Sequence, residues 1–154
     1  MITNQQIEKA YSYQEYKELL IELLSQGKTT GHDQSETMVS YAKLNIQRMD
    51  RVEKTLQLTT ELRESIAAVK RRFIWLVITE GWCGDTAQSV PVIFRISQLS
   101  PQIELKLLLR DDNPDVMGQF LTNGARSIPK LICLEKDSLK EVFTWGPRPA
   151  ELQK

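Results

Sequence analysis

The residues best suited to chemistry are Trp82-Cys83-Gly84-Asp85-Thr86, which join an apolar run, Phe73 to Thr79, to a segment of helical periodicity. A cysteine in the first turn of a helix sees unpaired backbone N–H groups and the positive end of the macrodipole. Both favour the thiolate, which is the nucleophile. Gly84 carries no Cβ and lets a partner chain come close, while Thr86, three residues after the cysteine, is placed to aim its hydroxyl at the sulfur. Asp85 works the other way, because a negative charge beside the thiol opposes its ionisation. The second thiol, Cys133, lies 50 residues further on in Lys130-Leu131-Ile132-Cys133-Leu134 and reads as a small buried hydrophobe. One histidine, His32 in a loop, and two distant cysteines make no zinc set, so neither metal nor cofactor is expected. Gly27 to Gly31 contains Lys-Thr-Thr but not the spacing of a phosphate loop.

The elements that must position these residues follow from periodicity. Ile7, Ala10, Tyr11, Tyr16, Leu19, Leu20, Leu23 and Leu24 predict one amphipathic helix, stopped by Gly27. Asp33 with Glu36 resembles a capping box before a longer helix carrying Met38, Ala42, Ile46, Met49, Val52 and Leu56. From Thr60 helices and strands alternate, as in an α/β sandwich. The expected order is a helix from Thr60 to Lys70, a buried strand from Phe73 to Thr79, a helix to Leu99 interrupted at Pro91, and a strand from Ile103 to Leu109. A helix from Pro114 to about Leu121 and two strands, Lys130 to Leu134 and Lys140 to Thr144, complete the set. Residues 1–58 are read as a helical extension packed on a main domain of residues 59–154.

With 154 residues, 41% of them hydrophobic, the chain can bury a core without disulfides or structural metal. Its 20 basic and 20 acidic residues give no net charge, which argues against nucleic acid or a membrane surface as partner. No apolar run approaches the ~18 residues of a membrane span. Without a recognisable signal segment at the start, the expected location is the cytoplasm.

Strand, Trp82-Cys83-Gly84, helix, and later Ile128-Pro129 before an antiparallel hairpin together resemble the thioredoxin family, from about Thr60 to Trp145. Pro91 falls where that family kinks its active-site helix, and Gly146 matches a glycine near the same surface. The Thr-Glu-Gly-Trp-Cys-Gly-Asp and Arg-Ser-Ile-Pro-Lys stretches are similar to those of a bacterial subgroup of thioredoxin-like proteins. The resemblance implies a thioredoxin-like fold with a central four-stranded mixed sheet. It implies that Ile128-Pro129 is cis and faces the cysteine, with Pro129 docking a partner and Trp82 part of the contact surface. It also implies that Cys133 points away from the cysteine helix. Three departures limit the match. Thr86 replaces the second active-site cysteine, Asp85 replaces a proline, and Val77 replaces a buried acid. An internal disulfide is thereby lost, and a monothiol cycle resolved by an external thiol remains.

The expected activity is thiol–disulfide exchange by Cys83, with Thr86 and nearby N–H groups stabilising the thiolate and protein thiols or disulfides as partners. One alternative is glutaredoxin-like action on a low-molecular-weight thiol held by Arg126 and Lys130. Another is a redox-inactive module that keeps the Ile128-Pro129 groove for binding. Trp145 would be a candidate partner contact. A thioredoxin fold usually closes with a further helix, which residues 149–154 begin but do not complete. An apolar patch left on that face would favour a homodimer.

Overall fold

The computed structural model describes residues 1–148. In chain order the elements are α1 (Asn4–Lys9), α2 (Tyr13–Ser25), α3 (Glu36–Thr55), α4 (Thr60–Ala67), β1 (Phe73–Thr79), α5 (Gly84–Ser97), β2 (Ile103–Leu109), α6 (Pro114–Met117), β3 (Lys130–Glu135) and β4 (Glu141–Trp145). The strands form one mixed sheet in the order β2-β1-β3-β4. β1 runs parallel to β2 and antiparallel to β3, and β4 returns antiparallel to β3. This is the α/β, thioredoxin-like architecture expected from the sequence.

β1 lies between two neighbours with helices on both faces, which is why its sequence is apolar without alternation. Leu76, Val77 and Ile78 are wholly inaccessible. Val77, Leu107 and Cys133 join Tyr16, Leu20, Met49, Val90 and Ile93 in a core under α2, α3 and α5. Ile74, Leu76, Leu108 and Ile132 join Ile7, Val116 and Met117 in a second core under α1 and α6. Residues 1–58 therefore contribute to both cores, and Tyr13 stacks on Phe94 of α5 with ring centroids 4.2 Å apart.

Several boundaries differ from the sequence reading, each for a local reason. The single N-terminal helix is two, because Tyr11 pairs as an extended residue with Leu107 at the edge of β2 (N···O 2.8 and 2.7 Å). Ser12 and Glu15 then form a capping box that restarts the chain as α2. α3 is capped by Ser35 and not by Asp33, whose carboxylate instead accepts the Ser35 N–H at 2.9 Å. Thr59 caps α4, which stops at Ala67, and α6 ends at Met117, well before Leu121. α5 keeps Pro91 inside it and ends at Ser97, short of Leu99.

Between α5 and β4, Trp75, Val92, Ile96, Phe143 and Trp145 line an apolar groove of about 430 Å³, with Phe143 half exposed. Trp145 thus faces this groove. The helix start expected in residues 149–154 lies outside the described residues. Among the described residues no helix is long and apolar enough to cross a membrane.

Candidate active site

β1 delivers the chain to Glu80-Gly81-Trp82, and α5 begins directly after Cys83. Both backbone groups of Gly81 are held by the N-terminal segment. Its N–H donates to Thr30 Oγ1 at 2.8 Å, and its C=O accepts from Asn45 Nδ2 at 3.0 Å. Cys83 is the N-cap of α5 and not a first-turn residue, and its side chain caps nothing. Thr3, Ser12, Ser35 and Thr59 do cap α1 to α4. The first N–H groups of α5 therefore lack the side-chain acceptor that those helices have, next to the sulfur. Half-buried, the thiol donates to the Ile128 carbonyl at 3.6 Å.

The residues around Cys83 depart from expectation in two ways. Thr86 is buried and its hydroxyl has no hydrogen-bond partner among the described residues, so it does not hydrogen-bond the sulfur in this resting arrangement. Asp85 is paired, its carboxylate accepting from Arg148 Nε at 3.1 Å, so its charge on the cysteine turn is offset. Gly84 meets the same need for space from inside the protein, since a Cβ there would lie 3.1 Å from Arg48 Nη1 on α3.

Across from the thiol, the Ile128–Pro129 peptide is cis. The Ile128 side chain belongs to the second core, and its carbonyl accepts the hydrogen bond from Cys83. Pro129 is buried too, and the proline lining the cleft beside Cys83 is Pro147. Trp82 is half buried under the Arg110 guanidinium, 5.0 Å from the ring centroid. Lys130 does not serve as a surface cation. It is buried, donates to Thr122 Oγ1 at 3.0 Å and to the Gly146 carbonyl at 3.4 Å, and loses basicity through that burial.

Cys133 lies on the α5 side of the sheet, contrary to the expectation that it points away from that helix. Burial raises its thiol above the usual range. It pairs with Trp75, four residues before the end of β1 that leads to Cys83. At ~3.3 Å per residue that is about 13 Å along the strand, beyond the ~7 Å limit between Cα atoms for a disulfide.

Glu80 and Asp111 are parts of the site that no sequence motif singles out. Glu80 is fully buried, and one carboxylate oxygen accepts the Asp111 N–H at 2.9 Å while the other has no partner among the described residues. Burial holds its carboxyl above the ordinary range against the pull of that N–H and of the nearby Thr30 hydroxyl. For Asp111, burial is outweighed by the His32 N–H and the Arg110 guanidinium, which keep the carboxyl below its usual range. Gly31 makes this fit, since a Cβ would lie 2.8 to 3.0 Å from Asp111 Oδ2, Glu80 Oε1 and Trp82 Nε1. The one signal in the sequence was a glycine in a loop, which reads equally well as an ordinary turn. Among the described residues no group of three or more His, Cys, Asp or Glu side chains is placed to hold a metal ion.

Two outcomes follow from this geometry. Thr30→Val leaves the buried Gly81 N–H without its acceptor and is expected to cost about 1–3 kcal/mol in urea denaturation. Thr30→Ser keeps the acceptor and should recover most of that loss, so equal destabilisation by the two would contradict the clamp. Glu80 binds its proton more tightly folded than unfolded. Its contribution to stability is therefore full below the ordinary carboxylate range, near ~4.3, and is lost as pH rises through the raised folded value. Glu80→Gln removes that dependence. The unfolding free energy of wild type minus that of Glu80→Gln is expected to fall as pH rises above the ordinary carboxylate range, and a difference that stays constant with pH would contradict the buried carboxyl.

Residues 31–154 match the model of a family described as Thioredoxin. No curated protein matches the chain. Among solved structures, a protein of unknown function from Pseudomonas aeruginosa is similar with a TM-score of 0.58 and 19% identity, over 92% of this chain and 80% of that one. An HIV epitope-scaffold is similar with a TM-score of 0.56 and 20% identity, over 90% and 79% of the two chains. At such identities the likeness to these structures concerns the fold alone.

Proposed function

Taking as premise that the chain belongs to the thioredoxin family, we propose that it carries out thiol–disulfide exchange with Cys83 as its sole reacting sulfur. The observation that carries this reading is the placement of the Cys83 thiol. It is accessible, stands at a helix N-terminus without a side-chain cap, and contacts only the Ile128 carbonyl among hydrogen-bond acceptors in the described structure. The other thiol is buried out of disulfide reach.

The cycle has two displacements. Cys83 gives its proton to water, losing the hydrogen bond to Ile128, and the thiolate attacks one sulfur of a disulfide R–S–S–R. The Cys83–S–S–R bond forms as the old S–S bond breaks, and the departing RS⁻ takes a proton from water. An external thiolate then attacks the R sulfur of the mixed disulfide and restores Cys83, so one disulfide is reduced and one formed. The α5 N–H groups lie where negative charge on sulfur builds up, and the Arg148 contact offsets Asp85. The freed Ile128 carbonyl, with Pro147 and Trp82 beside it, is the surface on which a partner docks, and Pro129 shapes that surface from beneath. Thr86, without a hydrogen bond at rest, supports the α5 terminus by packing.

Steady-state reduction of 2-hydroxyethyl disulfide by an excess of small thiol tests this. The expected result is turnover above background with ping-pong dependence on the two reactants. A rate equal to that without protein would overturn the reading and leave a binding module in its place.

A further inference from the structure

The charges around Cys83 point to what the thiol meets. A cleft of about 860 Å³ opens beside it, within the ~300–1,000 Å³ range of small-molecule sites. Three arginines line it: Arg110 from the end of β2, Arg126 from the loop before β3, and Arg148 after β4. Two carboxylates answer them. Arg148 meets Asp85, while Asp111 is divided among Arg110 at 3.0 Å, Arg126 at 3.5 Å and the His32 N–H at 3.1 Å. Among the described residues the cleft is therefore one positive charge in excess. That excess falls on Arg126, which is half exposed and shares Asp111 only at the longer distance. Arg110 sits over the Trp82 ring and donates to the Arg126 carbonyl at 3.3 Å, which ties the Arg126 backbone to the wall of the cleft.

Resting on the reading of Cys83 as the exchanging thiol, we infer that the cleft selects low-molecular-weight disulfides bearing carboxylates, with a substrate carboxylate on Arg126 and its disulfide at Cys83. A guanidinium offers a planar fork that matches a carboxylate in two parallel hydrogen bonds, which a lysine cannot do. The neutralisation of Asp85 removes the charge that would repel such a substrate from the sulfur. Lys130 plays no part, since its ammonium is buried between Thr122 and Gly146. The product is the Cys83 mixed disulfide with one half of the substrate, and the other half leaves as its thiol.

Intact-mass kinetics of adduct formation at Cys83, in a Cys133→Ala background, test the selectivity. The probes are oxidised glutathione and 3,3′-dithiodipropionate as anionic disulfides, 2-hydroxyethyl disulfide as neutral and cystamine as cationic. Each rate is divided by that of the same disulfide with a free small thiol. The anionic probes are expected to exceed the neutral one by about tenfold or more, the scale of one charge-assisted hydrogen bond. Cystamine should fall below both. Arg126→Gln should cut the anionic-to-neutral ratio several-fold, and Arg126→Lys should restore it only in part. Equal normalised rates, or a ratio unmoved by Arg126→Gln, would overturn the inference while exchange itself stands. Faster reaction with a disulfide-bonded acidic peptide than with either small anionic probe would also overturn it, in favour of a protein substrate. No adduct with any probe would instead overturn the underlying assignment of Cys83.

Discussion

Cys83→Ser is expected to lower disulfide turnover at least about 100-fold, to the background given by the external thiol alone, because an uncharged hydroxyl at neutral pH is a poor nucleophile toward a disulfide. The fold should be unaffected, since the thiol makes one long hydrogen bond and packs only at the border of the second core. Cys133→Ala is the opposite case. It removes a buried sulfur from the core under α5 and is expected to cost about 1–2 kcal/mol of stability, with turnover within about twofold of wild type. The pair separates the two thiols by different observables, rate for one and stability for the other. If Cys133→Ala abolished turnover in a folded protein, the assignment of a single reacting sulfur would be wrong.

Gly146→Ala is expected to be the most damaging single change to the fold around the site. The backbone there has φ +110°, a conformation that L side chains rarely adopt, and an added Cβ would lie 2.2 Å from the Pro129 carbonyl oxygen and 3.2 Å from its carbon. Those are backbone atoms at the entry to β3, so no side chain can swing aside to relieve the clash. The chain after β4 must instead move off β3, pulling the Gly146 carbonyl from Lys130 and Pro147 from the cleft wall. A loss of more than about 3 kcal/mol is expected by urea denaturation. Gly124→Ala is the matched control. Gly124 also has positive φ, at +80°, but open space where the Cβ would go, so only the conformational cost of about 1–2 kcal/mol applies. Equal losses at the two positions would show that the contact with Pro129 carries no weight.

These expectations mark which parts of the molecule were legible from residues alone. β1 and β2 were read to within a residue because a strand buried on both faces declares itself as an unbroken apolar run. The placement of Cys83 opposite the Ile128-Pro129 pair was legible because a short motif marks each of the two turns. What escaped depended on partners distant in the chain. The helix break at Tyr11 exists because Leu107 offers it two hydrogen bonds, and nothing local announces that edge. Asp85 read as an opposing charge because Arg148 is 63 residues away. Glu80 looked like any polar residue leaving a strand, yet the loop of Thr30, Gly31 and His32 folds over it and Asp111 and seals it from water. Lys130 and Arg126, equivalent as cations in the sequence, separate only when burial turns one inward and leaves the other at the cleft.

The N-terminal segment also acquires a role that its amphipathic pattern did not suggest. Thr30 and Asn45 bind the two backbone groups of Gly81, and Arg48 bonds Asn45 Oδ1 at 3.0 Å while lying against Gly84. The peptide that aims Cys83 is thus held from α3 and its preceding loop as much as from the sheet. The match to the family model begins at residue 31, within that loop, so most of these contacts fall inside the matched region.

The most direct measurement is intact-mass spectrometry of the reduced protein after brief exposure to 2-hydroxyethyl disulfide, with peptide mapping of the adduct. A single mixed disulfide on Cys83, stable until an external thiol is added and never converting to an internal bond with Cys133, is the predicted result. An unmodified Cys83, or a disulfide linking Cys83 to Cys133, would contradict the monothiol account.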